Sequence, residues 1–233
     1  MSDQTKIQSV YSQRDISSSD LYTWHRPEVR QWEGEKLSLV ASLLLNTLGS
    51  DLHKANIMDV GCGTGSFLRT LVEWGAQPSN LLGTEFLHDR LDTAVIRSPS
   101  GIRWHLGKLN DVQIGNFDLV STHTVFSSVI EDYDRIELAN DMWRFLKPGG
   151  WILVFDFRYN NPSNKDVRKV TRNELVDFWP KGVNSLYQTL LLAPPLARIL
   201  VPLPPLISSA LKTALPFLRS HFCFMIQKPS NTI

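Results

Sequence analysis

Ile57-Met58-Asp59-Val60-Gly61-Cys62-Gly63-Thr64-Gly65-Ser66-Phe67 decides how the rest of the chain is read. β-favouring positions, interrupted by one carboxylate, run into a glycine-rich turn, which opens a segment of helical spacing from Ser66 to Trp74. Strand, glycine loop and helix start together make a nucleotide-binding crevice at the carboxyl end of a strand. Glycine lets the backbone come close to a ligand where a side chain would collide. The first N–H groups of the helix are free to meet a carboxylate or phosphate.

The same alternation continues outward. Leu81-Leu82-Gly83-Thr84 reads as a short strand ending in Glu85, Leu87 to Ile96 as a helix cut by Pro99, and Ile102 to Leu106 and Phe117 to Ser121 as the third and fourth strands. Asp134 and Glu137 have capping-box spacing and open a helix with Ile136, Ala139, Met142, Trp143 and Leu146 on one face. Lys147-Pro148-Gly149-Gly150 stops it, and Trp151 to Phe157 is the longest apolar run, suited to a central strand buried on both faces. Thr171 and Glu174 repeat the capping-box spacing before a helix to Phe178, and Ser185–Leu192 and Phe222–Gln227 read as two further strands. Alternating strand and helix predicts an α/β fold, a mostly parallel sheet with helices on both faces.

The flanks are less regular. Met1 to Ser19 reads as a polar arm, and Tyr11, Tyr22, Trp24 and His25 are aromatics that either pack the arm on the body or close over a substrate. Leu37, Val40, Leu44 and Leu48, with Ala41 and Leu45 on the same side, predict an amphipathic helix stopped by Gly49. Residues 1–50 are therefore expected to form an arm and lid, and 51–233 the main domain. Within it, a hydrophobic insertion at about 193–219 carries Pro194, Pro195, Pro202, Pro204, Pro205 and Pro216 among leucines. Its prolines and its two cations, Arg198 and Lys212, argue against a spanning helix and for short helices between prolines. A hydrophobic lid, a dimer surface, or a wall for an apolar or lipid-linked substrate all remain open for it.

Composition narrows the class. The 233 residues suffice for one domain with a proper core, and 42% hydrophobic against 20% charged residues fits a globular chain. A formal net charge of +1 gives no broad attraction to nucleic acid. Two cysteines, Cys62 and Cys223, are too few for a disulfide framework or zinc cluster, so a reducing, cytoplasmic setting is expected. The polar first twenty residues lead us to expect no secretory signal. No spanning segment is expected, peripheral membrane contact stays open, and the chain is expected to be a monomer or homodimer.

Three features decide what the glycine loop holds. Asp59 sits two positions before Gly61, where a carboxylate would repel a pyrophosphate but suits an ammonium or sulfonium. Glu85 ends the second strand, where an acidic residue accepts hydrogen bonds from a ribose. Leu146-Lys147-Pro148-Gly149-Gly150 precedes the fifth strand. With Asp59-Val60-Gly61-Cys62-Gly63-Thr64-Gly65, Gly83-Thr84-Glu85 and Phe117-Asp118-Leu119-Val120, this ordered set resembles the class I S-adenosylmethionine-dependent methyltransferases. The flanking runs Arg158-Tyr159-Asn160-Asn161-Pro162, Leu192-Ala193-Pro194-Pro195-Leu196-Ala197-Arg198 and Leu218-Arg219-Ser220-His221 resemble a bacterial subgroup met in polysaccharide and natural-product gene clusters.

The resemblance implies a Rossmann-like seven-stranded sheet, six strands parallel and the last antiparallel, and S-adenosyl-L-methionine as cofactor. It places Gly61, Cys62, Gly63 and Gly65 under the methionine part, Asp59 at the loop or the amino group, and Glu85 on the ribose, with Phe86 beside it. The family's usual aspartate near the adenine is replaced by Lys108, so Lys108, Leu109, Asn110 or Asp111 takes that contact. His123 falls near the methionine carboxylate and the transferred methyl.

Methyl transfer to a hydroxyl needs a base, for which His123 is the candidate. Asp156, Arg158 and Tyr159 lie at the rim beyond the fifth strand; the two-residue spacing of Asp156 and Arg158 predicts an ion pair or a shared substrate contact. Asp156 and Tyr159 join His123 as catalytic candidates, and Tyr22, Trp24, His25, Phe126 and Arg158 are candidate substrate contacts. Oxygen ligands at Asp156, Asn160 and Asn161 lack a supporting His/Asp cluster, so no metal is expected. The expected reaction is O-methylation of a small molecule or glycan. N-methylation of an amino sugar or other amine, a non-catalytic cofactor-binding partner subunit, and a nucleotide-linked dehydrogenase are the rivals.

Overall fold

The computed structural model describes residues 23–113, 115–160, 166–200, 210–211 and 213–230. Tyr11, Tyr22, Asn161, Pro162, Pro202, Pro204, Pro205 and Lys212 lie outside the described residues. The strands β1 (Ile57–Val60), β2 (Leu81–Glu85), β3 (Arg103–Leu106), β4 (Phe117–His123), β5 (Leu146–Phe157), β6 (Val183–Leu192) and β7 (Arg219–Gln227) form one sheet. Its order is β3-β2-β1-β4-β5-β7-β6. β7 runs antiparallel to both β5 and β6, while the β1, β2, β3, β4 and β5 pairings are parallel. The sheet is thus the expected one, six strands in one direction and the last against them.

Period-two alternation divides the core. On one face Ile57, Leu119, Leu153, Phe155, Cys223 and Met225 pack under α1 (Pro27–Leu48), α2 (Ser66–Glu73) and α3 (His88–Arg97). On the other, Met58, Val120, Ile152, Val154, Phe222 and Phe224 meet α4 (Asp132–Phe145) and α5 (Arg172–Phe178). Gly150 to Asp156 of β5 is buried throughout, as a central strand requires.

Local expectations for two helices are corrected. Helix α1 starts at Pro27, not near Leu37, because a proline at the first helical position loses no hydrogen bond. Its inward stripe is Val40, Leu43 and Leu44, and Leu45 is 60% exposed. Helix α4 starts at Asp132; Glu137 accepts the Tyr133 hydroxyl at 2.6 Å instead of closing a capping box with Asp134. Ile136 is half-exposed and Arg135 takes the inward position beside Ala139 and Met142. The Thr171/Glu174 capping box is present in both directions, at 3.2 and 3.3 Å. In the proline-rich stretch, a seven-residue helix α6 (Pro194–Leu200) and one helical turn (Pro216–Leu218) are described. No described helix is long and apolar enough to cross a membrane.

A buried polar network on the α4 side holds the loops at the carboxyl end of the sheet. Arg135, fully buried, donates to Val129 O at 2.7 Å, Arg168 O at 3.0 Å, Lys169 O at 3.3 Å and Glu174 Oε1 at 2.7 Å. Arg168 in turn donates its backbone N–H to Ser127 O at 2.9 Å. The turn after β4 is thereby tied to the segment after β5. Removing one partner of a buried ion pair leaves the other uncompensated. Arg135→Met should therefore lower the unfolding free energy by about 3–5 kcal/mol in urea denaturation; a loss below ~1 kcal/mol would mean the network contributes no more than an exposed ion pair.

Candidate cofactor and acceptor site

The site is built where β1, β2 and β4 end under α1, α2 and α3. Gly61, Gly63 and Gly65 all have positive φ, +66°, +55° and +76°, so the loop winds through a left-handed region that side-chain-bearing residues enter at a cost. At Gly61 and Gly65 the protein itself fills the space a Cβ would need, with Val125 Cγ2 at 2.5 Å and Trp104 Cη2 at 2.9 Å. Above Gly63 the nearest atom is Arg90 Nη1 at 3.7 Å, so the middle of the loop is the open stretch of the cradle.

Two carboxylates fix this loop. Glu85 accepts the Gly63 N–H on Oε2 at 2.8 Å and the Phe86 and Leu87 N–H groups on Oε1 at 2.7 and 3.1 Å. It thus joins the glycine loop to the turn that starts α3, and lone pairs remain for a further donor. Asp59 lies beneath the loop, buried, and accepts the Ser121 hydroxyl at 2.8 Å. Burial raises its pKa to about 7, against the opposing pull of that hydrogen bond and of the Lys36 charge. A buried carboxylate so poised is an unfilled demand for positive charge. Cys62 packs under the loop, and burial pushes its thiol pKa far up, so it is a small inert residue.

His123 ends β4 on the same face as Asp59 and Ser121. Its ring lies 4.3 Å from Phe67 and 6.0 Å from Phe155, and both ring nitrogens are buried without a hydrogen-bond partner among the described residues. Burial, helped by the Lys36 charge, lowers its pKa to about 3. The imidazole is therefore neutral at pH 7 and a weak base, offering one donor and one acceptor. A general base works best with a pKa near the working pH, so burial leaves His123 ill suited to the role of base expected for it. The following residue, Thr124, has φ +57° and donates its N–H to Phe155 O at 2.7 Å, which sets the angle at which the chain leaves β4.

Phe86 is 45% exposed beside Glu85, as a group at the mouth of the cradle would be. Lys108 is exposed at the start of a helical turn; its carbonyl lies 3.1 Å from His105 Nε2, and Leu109 is buried. Gly107 donates its N–H to Glu85 O at 3.0 Å, which brings this loop beside the cradle. Trp24 and His25 are exposed just before α1.

The structure separates the remaining candidates from His123. Asp156 points to the opposite face of the sheet, where Oδ2 accepts the Ser127 N–H at 3.0 Å and Oδ1 the Phe157 N–H at 2.8 Å. Burial raises its pKa to about 6. It ties the turn after β4 to the end of β5. Arg158 does not pair with it, because β5 ends at Phe157 and strand alternation stops there. Arg158 donates instead to Arg219 O at 2.9 Å and Pro216 O at 3.3 Å. The Tyr159 hydroxyl donates to Phe217 O at 3.0 Å. Phe126 is core: fully buried and stacked on Phe178 at 5.3 Å. Among the described residues no group of three His, Cys, Asp or Glu side chains is placed to hold a metal.

Three residues of the site escaped the sequence reading. Ser121 precedes His123 by two on β4 and so shares its face. Trp104 closes over Gly83, whose Cβ would sit 2.6 Å from its Cζ3 and 2.9 Å from Cys62 Sγ. Lys36 lies one turn before Val40 on the same side of α1, with Nζ 5.4 Å over the Phe155 ring, and a charge leading into the apolar stripe was its signal.

The fold agrees with what comparison with known proteins finds. Residues 57–150 match the family model of a methyltransferase domain. A magnesium-protoporphyrin O-methyltransferase of Rhodobacter capsulatus is 31% identical over 97 residues, 40% of this chain and 42% of that one. A chloroplastic 2-phytyl-1,4-beta-naphthoquinone methyltransferase of Arabidopsis thaliana is 26% identical over 140 residues, 56% of this chain and 51% of that one. The chain thus spans about half the length of these relatives. Among solved structures, magnesium protoporphyrin IX methyltransferase from Synechocystis PCC 6803, with bound SAM, superposes with a TM-score of 0.64 at 10% identity over 98% of both chains. Residues 57–150 are thus similar to a methyltransferase domain, and the fold of the chain is that of S-adenosylmethionine-dependent methyltransferases.

Close packing under the loop is testable. Gly83→Ala should cost about 1–3 kcal/mol of stability by overpacking, and adding Trp104→Leu should recover part of it in chemical denaturation. An alanine tolerated without loss would show that Trp104 does not clamp the strand.

Proposed function

We propose that the protein transfers the methyl group of S-adenosyl-L-methionine to a small-molecule acceptor, at oxygen. The observation that carries the reading is Asp59, a buried carboxylate of raised pKa beneath a glycine cradle, with Glu85 at the end of the next strand. A cationic ligand satisfies the first and a ribose the second. A pyrophosphate in the same place would meet a buried negative charge, which disfavours the dehydrogenase rival.

In this reading the Gly61–Gly65 loop and Asp59 hold the methionine end, Glu85 and Phe86 the ribose, and the Lys108–Asp111 turn the adenine. Bound there, the sulfonium supplies an electrophilic methyl, so the protein's task is to position and shield. His123 orients an oxygen through the hydrogen bonds its buried ring leaves unmade; its low pKa makes it a poor proton store. Phe67 and Phe155 exclude water around it. Asp156 and Tyr159, bonded elsewhere, act as positioning residues for the turns at the rim.

The names of the Rhodobacter and Arabidopsis relatives, one an O-methyltransferase, support a small-molecule acceptor and an oxygen nucleophile. The flanking sequence runs support a place in natural-product or cell-surface polysaccharide biosynthesis, with a glycan among the acceptors. Trp24 and His25, preceding α1, border the acceptor's entrance, and α1 is its lid.

The sign of the pH dependence follows from Asp59. The ligand's cationic group binds the ionised carboxylate, so binding expels a proton below pH ~7. Affinity for S-adenosylhomocysteine, whose ammonium persists across this range, should rise about tenfold from pH 6 to pH 8 and then level off. Asp59→Asn should bind more weakly and lose the slope. Calorimetry in two buffers of different ionisation enthalpy measures both, with NADH as control. A wild-type affinity flat with pH would remove Asp59 from the contact, and absent binding would remove the cofactor.

A further inference from the structure

Helix α1 carries an inward stripe, Val29, Trp32, Lys36, Val40 and Leu43, spaced three or four residues apart as one helical face requires. Its two halves differ. Val40, Leu43 and Leu44 are buried against the sheet core. Gly49 and the turn Leu52–Lys54 then lead directly to Ile57, the first residue of β1. The N-terminal half therefore overhangs the carboxyl ends of the strands, where ligands bind in this class of sheet. There the stripe turns polar.

Lys36 Nζ stands 5.4 Å over the Phe155 ring, on the residue paired in register with His123. The Trp32 indole N–H, one turn earlier on the same face, is buried with no hydrogen-bond partner among the described residues. So are both ring nitrogens of His123. Around them the wall is aromatic: Phe155 stacks on His221 at 5.3 Å, and Phe157 lies 4.4 Å from the same ring. His221 is itself occupied, its Nδ1 2.8 Å from Ser220 Oγ. Lys36 pairs at 2.7 Å with Glu33, whose side chain is 38% exposed, so that partner exchanges readily for another anion. The carboxylate that feels the Lys36 charge, Asp59, accepts the Ser121 hydroxyl, and Glu85 on the next strand is bonded to backbone amides.

We propose that Lys36 and the Trp32 indole N–H form a subsite for an anionic oxygen group of the methyl acceptor, whose remaining body is apolar and lies against the aromatic wall. The inference rests on the methyltransferase reading and names its substrate class. A buried indole donor without a partner is costly. The Lys36 ammonium, over a ring face and paired with a half-exposed glutamate, has three donors and can give one to an anion. One oxyanion satisfies both donors, with a charge-assisted bond to the lysine. The geometry leaves two sources for such an anion, the acceptor and the carboxylate of the cofactor's methionine end; the proposal is for the acceptor.

The test uses the full chain saturated with S-adenosylhomocysteine and two isosteric probes, 2-naphthoate and 2-naphthamide, titrated by calorimetry. Naphthoate should bind about tenfold more tightly than the neutral amide. Lys36→Met and Trp32→Phe should each remove about fivefold or more of the naphthoate affinity. At pH 8.5, above the range in which Asp59 titrates, both should leave naphthamide and S-adenosylhomocysteine within about twofold, and Lys36→Arg should retain most of the naphthoate affinity. Far-UV circular dichroism of each variant establishes that it is folded, and the arginine variant tests the charge should the methionine variant not fold. Equal affinity for the two probes, or no binding of either, overturns the proposal. So does a loss of S-adenosylhomocysteine affinity in Lys36→Met as large as the loss for naphthoate, since the anion is then the cofactor's own. If wild-type protein does not bind S-adenosylhomocysteine, the methyltransferase reading falls, and the same titrations on ligand-free protein decide the anion site by themselves.

Discussion

One carboxylate holds the ligand end of the molecule together. Glu85 takes three backbone N–H groups, from Gly63 and from Phe86 and Leu87, at 2.7–3.1 Å. The loop it clamps has a left-handed glycine at every second position and makes few bonds of its own; Gly65 N–H to Cys62 O is one. The acidic residue therefore supplies the loop with shape as well as the ligand with an acceptor. Asp59, one strand away, supplies charge. Because Asp59 and Gly83 are in register across β1 and β2, the two carboxylates descend from neighbouring strands two residues apart in height. The sheet register is what gives the cradle one structural and one electrostatic anchor.

The sheet also sorts the polar residues by face. Asp59, Ser121 and His123 project toward α1 and α2, and Asp156 projects toward α4. Both faces carry a buried carboxylate of raised pKa, about 7 at Asp59 and about 6 at Asp156, but only Asp156 has two backbone donors. Asp156 is satisfied where it stands and acts on the site through the turn at Ser127. A polar group already satisfied by the fold belongs to the scaffold, and one left wanting belongs to the ligand. Asp59, His123 and Trp32 fall in the second group.

Strand positions, the parallel order and the glycine cradle were legible because each rests on local chemistry: period-two burial, a left-handed glycine run, a proline-glycine stop. The errors came where a local rule met a tertiary competitor. Asp134 and Glu137 have the spacing of a cap, but the Tyr133 hydroxyl takes Glu137. Asp156 and Arg158 have the spacing of a strand pair, but the strand ends between them. Phe126 follows His123 closely in sequence, yet the turn at Thr124 sends its ring to the far core. The roles of Trp32 and Lys36 depend on which end of α1 overlies the strand ends, which hydrophobic spacing alone does not encode.

Leu191 of β6 has φ +59°, a conformation that costs a branched residue on the order of 1–3 kcal/mol, and its N–H is held by the Glu35 carboxylate at 3.1 Å. The neighbouring leucines Leu190 and Leu192 keep their pairing with β7, so the distortion stays at this one residue. Helix α1 is thus fastened to the far side of the sheet by a bond that keeps a leucine out of its preferred conformation. When the bond exchanges with water, the leucine is free to relax, and that relaxation offsets part of the lost hydrogen bond. The Glu35 bond therefore adds less to the seam between α1 and β6 than its 3.1 Å length suggests, and the buried leucines beside it, Leu190 and Leu191 against Val40, Leu43 and Leu44, carry the rest.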